Sequence, residues 1–406
     1  MKKIKFEYSH INNEEYLKIC EILVKYKNCY ATHRNDVGQI STPFRIKLKP
    51  NAKLRTQRPT KVPIHYREKL KKLLNELEKN GIIKQIGSDP SELHYGTIFL
   101  NPLIIIAKGD SIKLVLDSRH LNSNTDQAFE SWPIEPLISQ LARANKPFKS
   151  TTDVMYAYAH VLLDDATSKL VSFSSGDRLY SFTRGFYGLK GLPNFFTKQM
   201  YTYFKTLIDE GYALVYIDDI LLLSNTTTHM ISLIEQLHQI CAKQNLKLAP
   251  EKAFYVLEKV KFLGHEIGKN KMNPIHSKVD GIHKLKSPTT KRELMRIVGS
   301  LNFYNKFINN LHINLKPLYR LLHDEVPFKW TPDLEEIFQK IKFSLKKDAE
   351  LAIPNTSKPF YITVDASLNG AGAVLFQPTA NNKMQVLSFS SRIFDPQEQK
   401  LSTYDR

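Results

Sequence analysis

The sequence predicts an α+β fold. Apolar residues recur at helical spacing in residues 66–80, and apolar runs typical of strands occur at residues 97–107 and 213–223. The two kinds of segment alternate without the regular period of a βαβ protein. With 406 residues the chain is too long for one compact core, so we expect two to four structural units.

The charge of the chain favours a polyanionic partner. Fifty-eight Lys and Arg oppose 40 Asp and Glu, giving a formal net charge of +18 and a pI near 9.5. Self-repulsion of this size makes nucleic acid the first expectation, although ribosomal, chromatin and other merely basic proteins have similar charge. The three cysteines are too few and too scattered for a disulfide framework or a zinc site.

Several classes of protein are excluded by what the sequence lacks. No apolar run approaches the ~20 residues of a membrane span, and no secretory signal follows the first residues, so we expect a soluble intracellular protein. The HExxH, GxxxxGK and D-[ST]-G patterns are absent, which argues against a zincin, a P-loop enzyme and a retroviral-type aspartic protease within this sequence.

The predicted elements before residue 150 are two helices and two strands, joined by a basic segment punctuated by proline. Gly81 stands where a glycine ends a helix, and Lys108-Gly109-Asp110 forms the turn between the strands. In chain order they are a helix at 13–27, an extended segment at 43–63, a helix at 66–80, and strands at 97–107 and 112–116.

The elements after residue 150 become mainly helical and basic before strands return at the end. Thr290 and Glu293 form the pattern of a capping box, which predicts that a helix begins there. The other predicted elements are a helix over 195–208 that ends by Gly211, a helix at 230–244, a short strand at 260–267, a helix at 334–347, and strands at 360–367, 370–377 and 384–391.

The segment of residues 213–223 (ALVYIDDILLL) carries the strongest chemical signal. It forms either one buried strand or a hairpin whose turn contains Asp218 and Asp219. Burying two ionised carboxylates beside hydrocarbon costs several kcal/mol each unless something compensates them. A divalent cation would do so, because Mg²⁺ prefers carboxylate oxygens. The alternative is a turn that exposes both aspartates to water, since aspartate is common in turns.

Five segments, in a fixed order, resemble motifs of reverse transcriptases. Residues 216–219 (YIDD) resemble the Y-x-D-D box, and residues 150–154 (STTDV) look like the other metal-binding strand. The remaining three segments are residues 117–122 (DSRHLN), similar to D-x-R-x-L-N, residues 186–193 (FYGLKGLP), similar to (F/Q)-G-L-K-x-x-P, and residues 260–267 (VKFLGHEI), similar to the F-L-G-H element of gypsy-class LTR retrotransposons. The resemblance covers roughly residues 40–406. It implies a right-hand polymerase with fingers, palm and thumb, followed by the first strands of an incomplete RNase H-like domain.

The resemblance implies a site for two magnesium ions. Asp153, Asp218 and Asp219 would be the catalytic and metal-binding residues, with the backbone carbonyl of Val154 as a further ligand. Asp153 and Asp218 would bridge two Mg²⁺ ions about 3.5–4 Å apart, with Mn²⁺ as a substitute. One ion would activate the primer 3′-hydroxyl and the other would neutralise the leaving pyrophosphate, so positioning and charge neutralisation dominate the chemistry.

Five residues are expected to bind the incoming nucleotide, one of them Val154, whose backbone carbonyl would bind the metal ion on the triphosphate side. Tyr158, five residues after Asp153, stands where the family has an aromatic steric gate that leaves no room for a ribose 2′-hydroxyl; the alternative is a packed tyrosine. Lys108 and Lys113 are expected to contact the triphosphate, although Lys113 replaces the family's arginine and loses its planar fork. Tyr187 takes the place of the family's Phe or Gln above the base.

The regions after the palm are expected to hold the primer and the duplex. Leu263, Gly264 and His265 resemble the primer grip, the alternative being a hairpin turn with a surface histidine. The basic helices after Ser277 resemble a thumb that follows the duplex backbone. Residues 361–375 resemble the first hairpin of an RNase H domain, with Asp365 as its first metal-binding carboxylate. Since that chemistry needs about four carboxylates, we expect no RNase H activity from this chain.

The function expected from these features is RNA-directed and DNA-directed DNA synthesis, carried out by a fragment of a Pol polyprotein. Two alternatives stay open: an RNA-dependent RNA polymerase, which Tyr158 and the RNase H-like start disfavour, and a decayed or domesticated remnant that only binds nucleic acid, which Lys113 keeps open. Expected partners are an RNA or DNA template with its primer, dNTPs, and flanking protease and integrase domains, with no membrane.

The expected location and domain boundaries complete the prediction. We expect the protein in a cytoplasmic virus-like particle, with access to the nucleus. The domains are an N-terminal extension (1–42), fingers with part of the palm (43–149), the catalytic palm with a fingers segment (150–268), the thumb (269–352) and the truncated RNase H-like start (353–406).

Overall fold

The computed structural model divides the chain into two compact units. The first comprises Met1–Pro133 and Phe148–Leu257, and the second comprises Ile134–Pro147 and Glu258–Arg406. None of the helices in the described ranges is long and apolar enough to cross a lipid bilayer. The structure describes residues 4–6, 10–58, 62–87, 98–108, 111–126, 146–176, 178–345, 349–355, 357–379 and 381–402.

The first unit mixes strands and helices along the whole of its length. Its strands are β1 (Lys5–Phe6), β2 (Ile83–Gly87), β3 (Leu103–Lys108), β4 (Ser111–Leu116), β5 (Phe148–Asp153), β6 (Ser172–Ser174), β7 (Leu179–Phe182), β8 (Ala213–Tyr216), β9 (Asp219–Ser224) and β10 (Phe254–Leu257). Its helices are α1 (Asn13–Lys25), α2 (Arg67–Lys79), α3 (Arg119–Ser123), α4 (Asp165–Leu170), α5 (Leu192–Tyr203), α6 (Lys205–Asp209) and α7 (Thr227–Lys243).

A five-stranded sheet in the order β1-β10-β5-β9-β8 forms the centre of this unit. The pairs β10–β5, β5–β9 and β8–β9 are antiparallel, and β1 joins β10 in parallel. The register places Asp153, the last residue of β5, directly opposite Asp219, the first residue of β9. The sheet therefore brings together two of the aspartates that the sequence singles out.

Helix α7 covers this sheet with an apolar stripe. Met230, Ile234, Leu237 and Cys241 recur at the spacing of one helix face and are all fully buried. Burying an aliphatic side chain of this size stabilises the fold by about 1.5–3 kcal/mol. The helix contacts both β5 and β9, so its packing fixes the two strands on which the aspartates lie.

Two smaller sheets and helix α2 complete the first unit. The sheets have the orders β2-β7-β6 and β3-β4. Leu70, Leu74 and Leu77 of α2 are buried, and the helix contacts β2 and β4. This packing holds the β3–β4 hairpin, which carries Lys113, against α2.

The second unit contains two sheets and four longer helices within its described part. The sheets have the orders β11-β12-β13-β14 and β15-β16-β17. The strands are β11 (Val260–Phe262), β12 (His265–Ile267), β13 (Lys271–Pro274), β14 (Leu351–Ala352), β15 (Tyr361–Ala366), β16 (Gly370–Pro378) and β17 (Met384–Ile393). The helices are α8 (His276–His283), α9 (Lys291–Asn302), α10 (Leu311–Arg320) and α11 (Pro332–Ser344).

Most predicted elements are present with small shifts at their ends. The helices expected at 13–27, 66–80, 230–244 and 334–347 are confirmed by α1, α2, α7 and α11, and Gly81 follows α2 at φ 63°. The three strands expected after residue 359 are confirmed by β15, β16 and β17. Of the two interpretations of residues 213–223, the hairpin is correct.

Three element predictions are wrong in detail. The strand expected at 260–267 is the β11–β12 hairpin, which turns at Leu263 and Gly264. The helix expected over 195–208 is interrupted at Phe204, which separates α5 from α6. Thr290 caps α9 as expected, but the Glu293 carboxylate accepts hydrogen bonds from the backbone N–H and the hydroxyl of Thr289.

Candidate active site

Three aspartates meet where β5 ends and the β8–β9 hairpin turns. Asp153 and Asp219 are paired across the two strands, and Asp218 lies in the turn before β9. Ile217 at φ 55° reverses the chain, and the N–H of Val154 donates a 2.9 Å hydrogen bond to the carbonyl of Asp218. This bond ties the turn to the end of β5.

The protonation behaviour of these carboxyl groups indicates crowding of negative charge. Burial, together with the charge of Asp219, raises the pKa of Asp153 to about 6 against the opposing effect of Lys252. Burial and the charge of Asp153 raise the pKa of Asp218 to about 6. Burial and Asp218 also raise the pKa of Asp219. One buried and two partly buried carboxylates that repel one another form an environment that a cation stabilises.

Lys252 supplies a cation at this position. Its ammonium lies 2.5 Å from Oδ2 of Asp153, although 58% of the lysine side chain is exposed. Burial lowers the pKa of Lys252, but attraction to the three aspartates more than offsets this effect and the pKa is raised. The Pro250–Lys252 turn is held in place because the N–H of Ala249 donates to the carbonyl of Asp153 at 2.8 Å.

The residues fit a divalent cation by their chemistry. Among the residues that the structure describes, no three His, Cys, Asp or Glu side chains already converge as a metal-binding group. The carboxylate oxygens of Asp153, Asp218 and Asp219 are nevertheless the hard ligands that Mg²⁺ prefers, and their raised pKa values show uncompensated charge. A cation bound there would take over from Lys252 the neutralisation of Asp153.

An aromatic wall stands beside the aspartates. The ring of Tyr187 packs edge-on against Tyr158 with centroids 5.3 Å apart and stacks on Tyr156 at 6.1 Å. Tyr158 also packs edge-on against Phe196 at 6.0 Å. The ammonium of Lys113 lies 3.6 Å from the centre of the Tyr187 ring. The structure therefore places three of the five predicted nucleotide-binding residues, Lys113, Tyr158 and Tyr187, together.

The pKa of Tyr158 links this wall to the carboxylates. Burial raises it to about 12, and the charge of Asp218 contributes to the rise. Tyr158 is half-buried, so the sequence alternatives of a gate and a packed tyrosine are compatible with its position. Lys108 ends β3, and its backbone pairs with Ser111, whereas its side chain and the turn residues Gly109 and Asp110 lie outside the described residues.

The turn at Leu263, Gly264 and His265 belongs to the second unit. Leu263 at φ 46° and Gly264 at φ 78° form the turn, and a Cβ on Gly264 would lie 2.7 Å from the Phe303 ring. His265 is only 2% exposed and its ring stacks on Phe303 at 5.4 Å. The alternative of a surface histidine is wrong, because the ring fills an aromatic cluster with Phe303 and Phe307.

Asp365 lies on β15 opposite Gly372, with its side chain exposed. Within the described part of the chain it has no companion carboxylates that would complete a metal-binding group.

Sequence reasoning missed Lys252 and Tyr156. Lys252 approaches Asp153 only through the fold, because β10 returns beside β5, and no local motif marks it. Tyr156 adopts φ 47°, a left-handed conformation that a sequence pattern assigns to glycine or asparagine. Its position shortly after Asp153 was the signal that the sequence offered, because its contact with Tyr187 is made by the fold.

Two family models match the chain. Residues 107–267 match the model of a reverse transcriptase (RNA-dependent DNA polymerase), and residues 330–406 match that of an RNase H-like domain found in reverse transcriptase. The first match contains the three aspartates of the site, and the second contains Asp365.

Curated relatives and a solved structure are similar to the chain. It is 31% identical over 333 residues to the retrovirus-related Pol polyprotein from transposon 412 of Drosophila melanogaster, covering 80% of this chain and 26% of that protein. It is 26% identical over 421 residues to the corresponding polyprotein from transposon 297 of the same organism, covering 99% of this chain and 37% of that protein. The chain therefore spans between about a quarter and two fifths of the length of these relatives.

The structure of the foamy viral protease-reverse transcriptase dRH in complex with double-stranded DNA superimposes with a TM-score of 0.84. The sequences are 21% identical, and the match covers 97% of this chain and 68% of that chain. This likeness shows the fold and confirms the predicted fold class.

Proposed function

We propose that the chain is an RNA-directed and DNA-directed DNA polymerase that adds dNTPs to a primer 3′ end. The observation that carries this proposal is the pairing of Asp153 with Asp219 across β5 and β9, with Asp218 in the adjoining turn. The match of residues 107–267 to the reverse transcriptase family model supports it. Asp153, Asp218, Asp219 and the carbonyl of Val154 would hold two Mg²⁺ ions, which supply charge neutralisation for phosphoryl transfer when bound.

The chain's own residues would position the reactants. Asp153 and Asp218 lie on neighbouring segments that the Val154 hydrogen bond fixes, so their carboxylates need little rearrangement to act together. Lys113 would contact the triphosphate from its place beside Tyr187. Tyr158, which packs on Tyr187, would exclude ribonucleotides in the manner of the family's steric gate, in which an aromatic ring meets the ribose 2′-hydroxyl.

The domains that we propose do not coincide with the two units, because residues 258–268 of the proposed palm belong to the second unit. The palm over 150–268 contains β5, β8 and β9, and the boundary between the units at Leu257 and Glu258 lies close to its end. The N-terminal extension (1–42), the fingers (43–149), the thumb (269–352) and the RNase H-like start (353–406) follow the family's order. Leu263 and Gly264 would contact the primer through their turn, while the buried His265 would support that turn from within.

The likeness to transposon polyproteins supports a role in replication of a gypsy-class retrotransposon. The partners would be an RNA or DNA template with its primer, dNTPs, and flanking protease and integrase domains, in a cytoplasmic virus-like particle with access to the nucleus. We expect no RNase H activity, because that chemistry needs about four carboxylates and the sequence resemblance identifies one of them, Asp365. Loss of a labelled RNA strand from a hybrid, abolished by Asp365→Asn, would contradict this.

Primer extension tests the proposal. On an RNA template with dNTPs and Mg²⁺, we expect extension by the wild type and by Asp209→Asn, which removes an exposed carboxylate paired with Lys205, but none by Asp218→Asn. Extension by Asp218→Asn would refute the proposed site. If neither wild type nor variant extends and both bind primer–template, the alternative of a remnant that only binds nucleic acid is correct. Extension with NTPs in place of dNTPs would favour an RNA polymerase.

A further inference from the structure

The first unit contains a basic pocket to which the proposed polymerase reaction assigns no role. It lies between α2, β4 and the loop that carries Arg34, and its volume is about 300 Å³. This is the lower end of the range of roughly 300–1,000 Å³ that small-molecule sites occupy. Its floor is apolar, and its rim carries Arg34, Lys69, Lys72 and Lys113.

The charge of the pocket is unbalanced. Apart from Lys113, three cations face one carboxylate, that of Glu76, among the described residues that line the pocket, which gives these residues a net charge of +2. In the described part of the chain no ion pair joins Arg34, Lys69 or Lys72 to a carboxylate. Cations gathered around a low-dielectric floor repel one another, and a compact polyanion would remove that repulsion.

The pocket adjoins the proposed nucleotide site. Lys113 lines the pocket and also lies over the Tyr187 ring at 3.6 Å. Tyr156, which stacks on Tyr187, forms part of the pocket wall. Arg34 lines the pocket together with Tyr156. Burial raises the pKa of Tyr156 and of Tyr187, and the positive charge of Arg34 opposes this rise at both rings.

We propose that this pocket binds the pyrophosphate released by the polymerase reaction, an inference that rests on the proposed function. In that reaction the primer 3′-hydroxyl gives its proton to solvent, and its oxygen forms a bond to the α-phosphorus of the dNTP while the bond from that phosphorus to the oxygen of the β-phosphate breaks. The pyrophosphate leaves with the bonding electrons. Lys113 would contact the pyrophosphate both in the nucleotide site, where it forms, and in the pocket. A pocket of about 300 Å³ with cations along its lining matches a compact anion in size and charge.

Binding of inorganic pyrophosphate, measured by calorimetry without Mg²⁺, primer or template, tests the site itself. We expect Arg34→Gln to weaken binding about tenfold, the loss of one charge-assisted contact. Glu76→Gln should strengthen it, because this change removes the carboxylate found among the described residues that line the pocket. The control Lys71→Gln removes the same charge from α2 outside this pocket and should have less than a twofold effect. Equal losses in Arg34→Gln and Lys71→Gln would overturn the proposal, because they indicate a general charge effect.

Steady-state kinetics distinguish released pyrophosphate from the phosphates of an incoming nucleotide. Arg34→Gln should raise the pyrophosphate concentration that half-inhibits extension about tenfold and leave the KM for dNTP within twofold. A tenfold rise in that KM with unchanged inhibition would overturn the assignment to product. Weaker binding of a single-stranded oligonucleotide with unchanged pyrophosphate binding would assign the pocket to a strand instead. If the wild type does not extend primers but binds pyrophosphate through Arg34, the proposed function fails and the anion site stands.

Discussion

Replacing Lys252 by methionine should lower the Mg²⁺ concentration that the site requires. Lys252 neutralises Asp153 from 2.5 Å, so it both competes with a metal ion and repels it. Two unit charges about 4 Å apart interact with roughly 4 kcal/mol at an effective dielectric of 20 and roughly 1 kcal/mol in water. Because 58% of the Lys252 side chain is exposed, the lower part of this range applies, roughly 1–2 kcal/mol.

That free energy corresponds to a roughly 5–30-fold fall in the half-saturating Mg²⁺ concentration. The measurement is a Mg²⁺ titration of the protein by calorimetry without nucleotides, followed by a Mg²⁺ titration of single-nucleotide addition. Lys252→Arg should behave as the wild type, and Lys205→Met, which removes a cation from an exposed pair with Asp209, should leave Mg²⁺ binding unchanged. An unchanged or higher half-saturating concentration in Lys252→Met would refute the role assigned to this ammonium.

Three further predictions follow from single positions. Tyr158→Ala should raise ribonucleotide incorporation by at least tenfold relative to dNTP in competition assays. Tyr158→Phe keeps the ring and should not raise it. Equal sugar selectivity in the wild type and both variants would refute the assignment of Tyr158 as a steric gate. Gly264→Ala should destabilise the second unit by roughly 1–3 kcal/mol, because its Cβ meets Phe303 at 2.7 Å and φ is 78°; Gly281→Ala, in open space on α8, should not lower the thermal midpoint. Burial lowers the pKa of His160, His238 and His265 to about 4, so the unfolded chain binds protons before the folded chain does and stability should fall as pH drops from about 6.5 toward 4. At pH 5 each histidine should lower the free energy of unfolding, measured by denaturant titration, by roughly 2 kcal/mol. A free energy of unfolding that does not change with pH would contradict burial of the neutral rings.

The sequence predicts local features of the site better than features made by the fold. Asp218 and Asp219 stand in an apolar run, and the free energy needed to bury two carboxylates there identifies them as functional residues from the sequence alone. Asp153 is identified through its motif. Lys252 is 99 residues from Asp153 in the chain, and its role depends on how β10 returns beside β5. The burial of His265 was likewise not predictable, because it depends on aromatic rings of a later helix region.

The backbone conformation around the aspartates explains why the sequence locates the turn but does not predict the conformation of the turn. Tyr156, Ile217 and Val256 have φ values of 47°, 55° and 54°, and they lie after β5, in the β8–β9 turn and in β10. Such conformations cost on the order of 1–3 kcal/mol for bulky residues and are assigned to glycine by any sequence rule. Val256 is fully buried, Ile217 packs on the core and Tyr156 stacks on Tyr187, so burial worth about 1.5–3 kcal/mol per side chain offsets the strain. Glycine at these positions would relieve the strain but lose the packing that holds Asp153 and Asp218 in place.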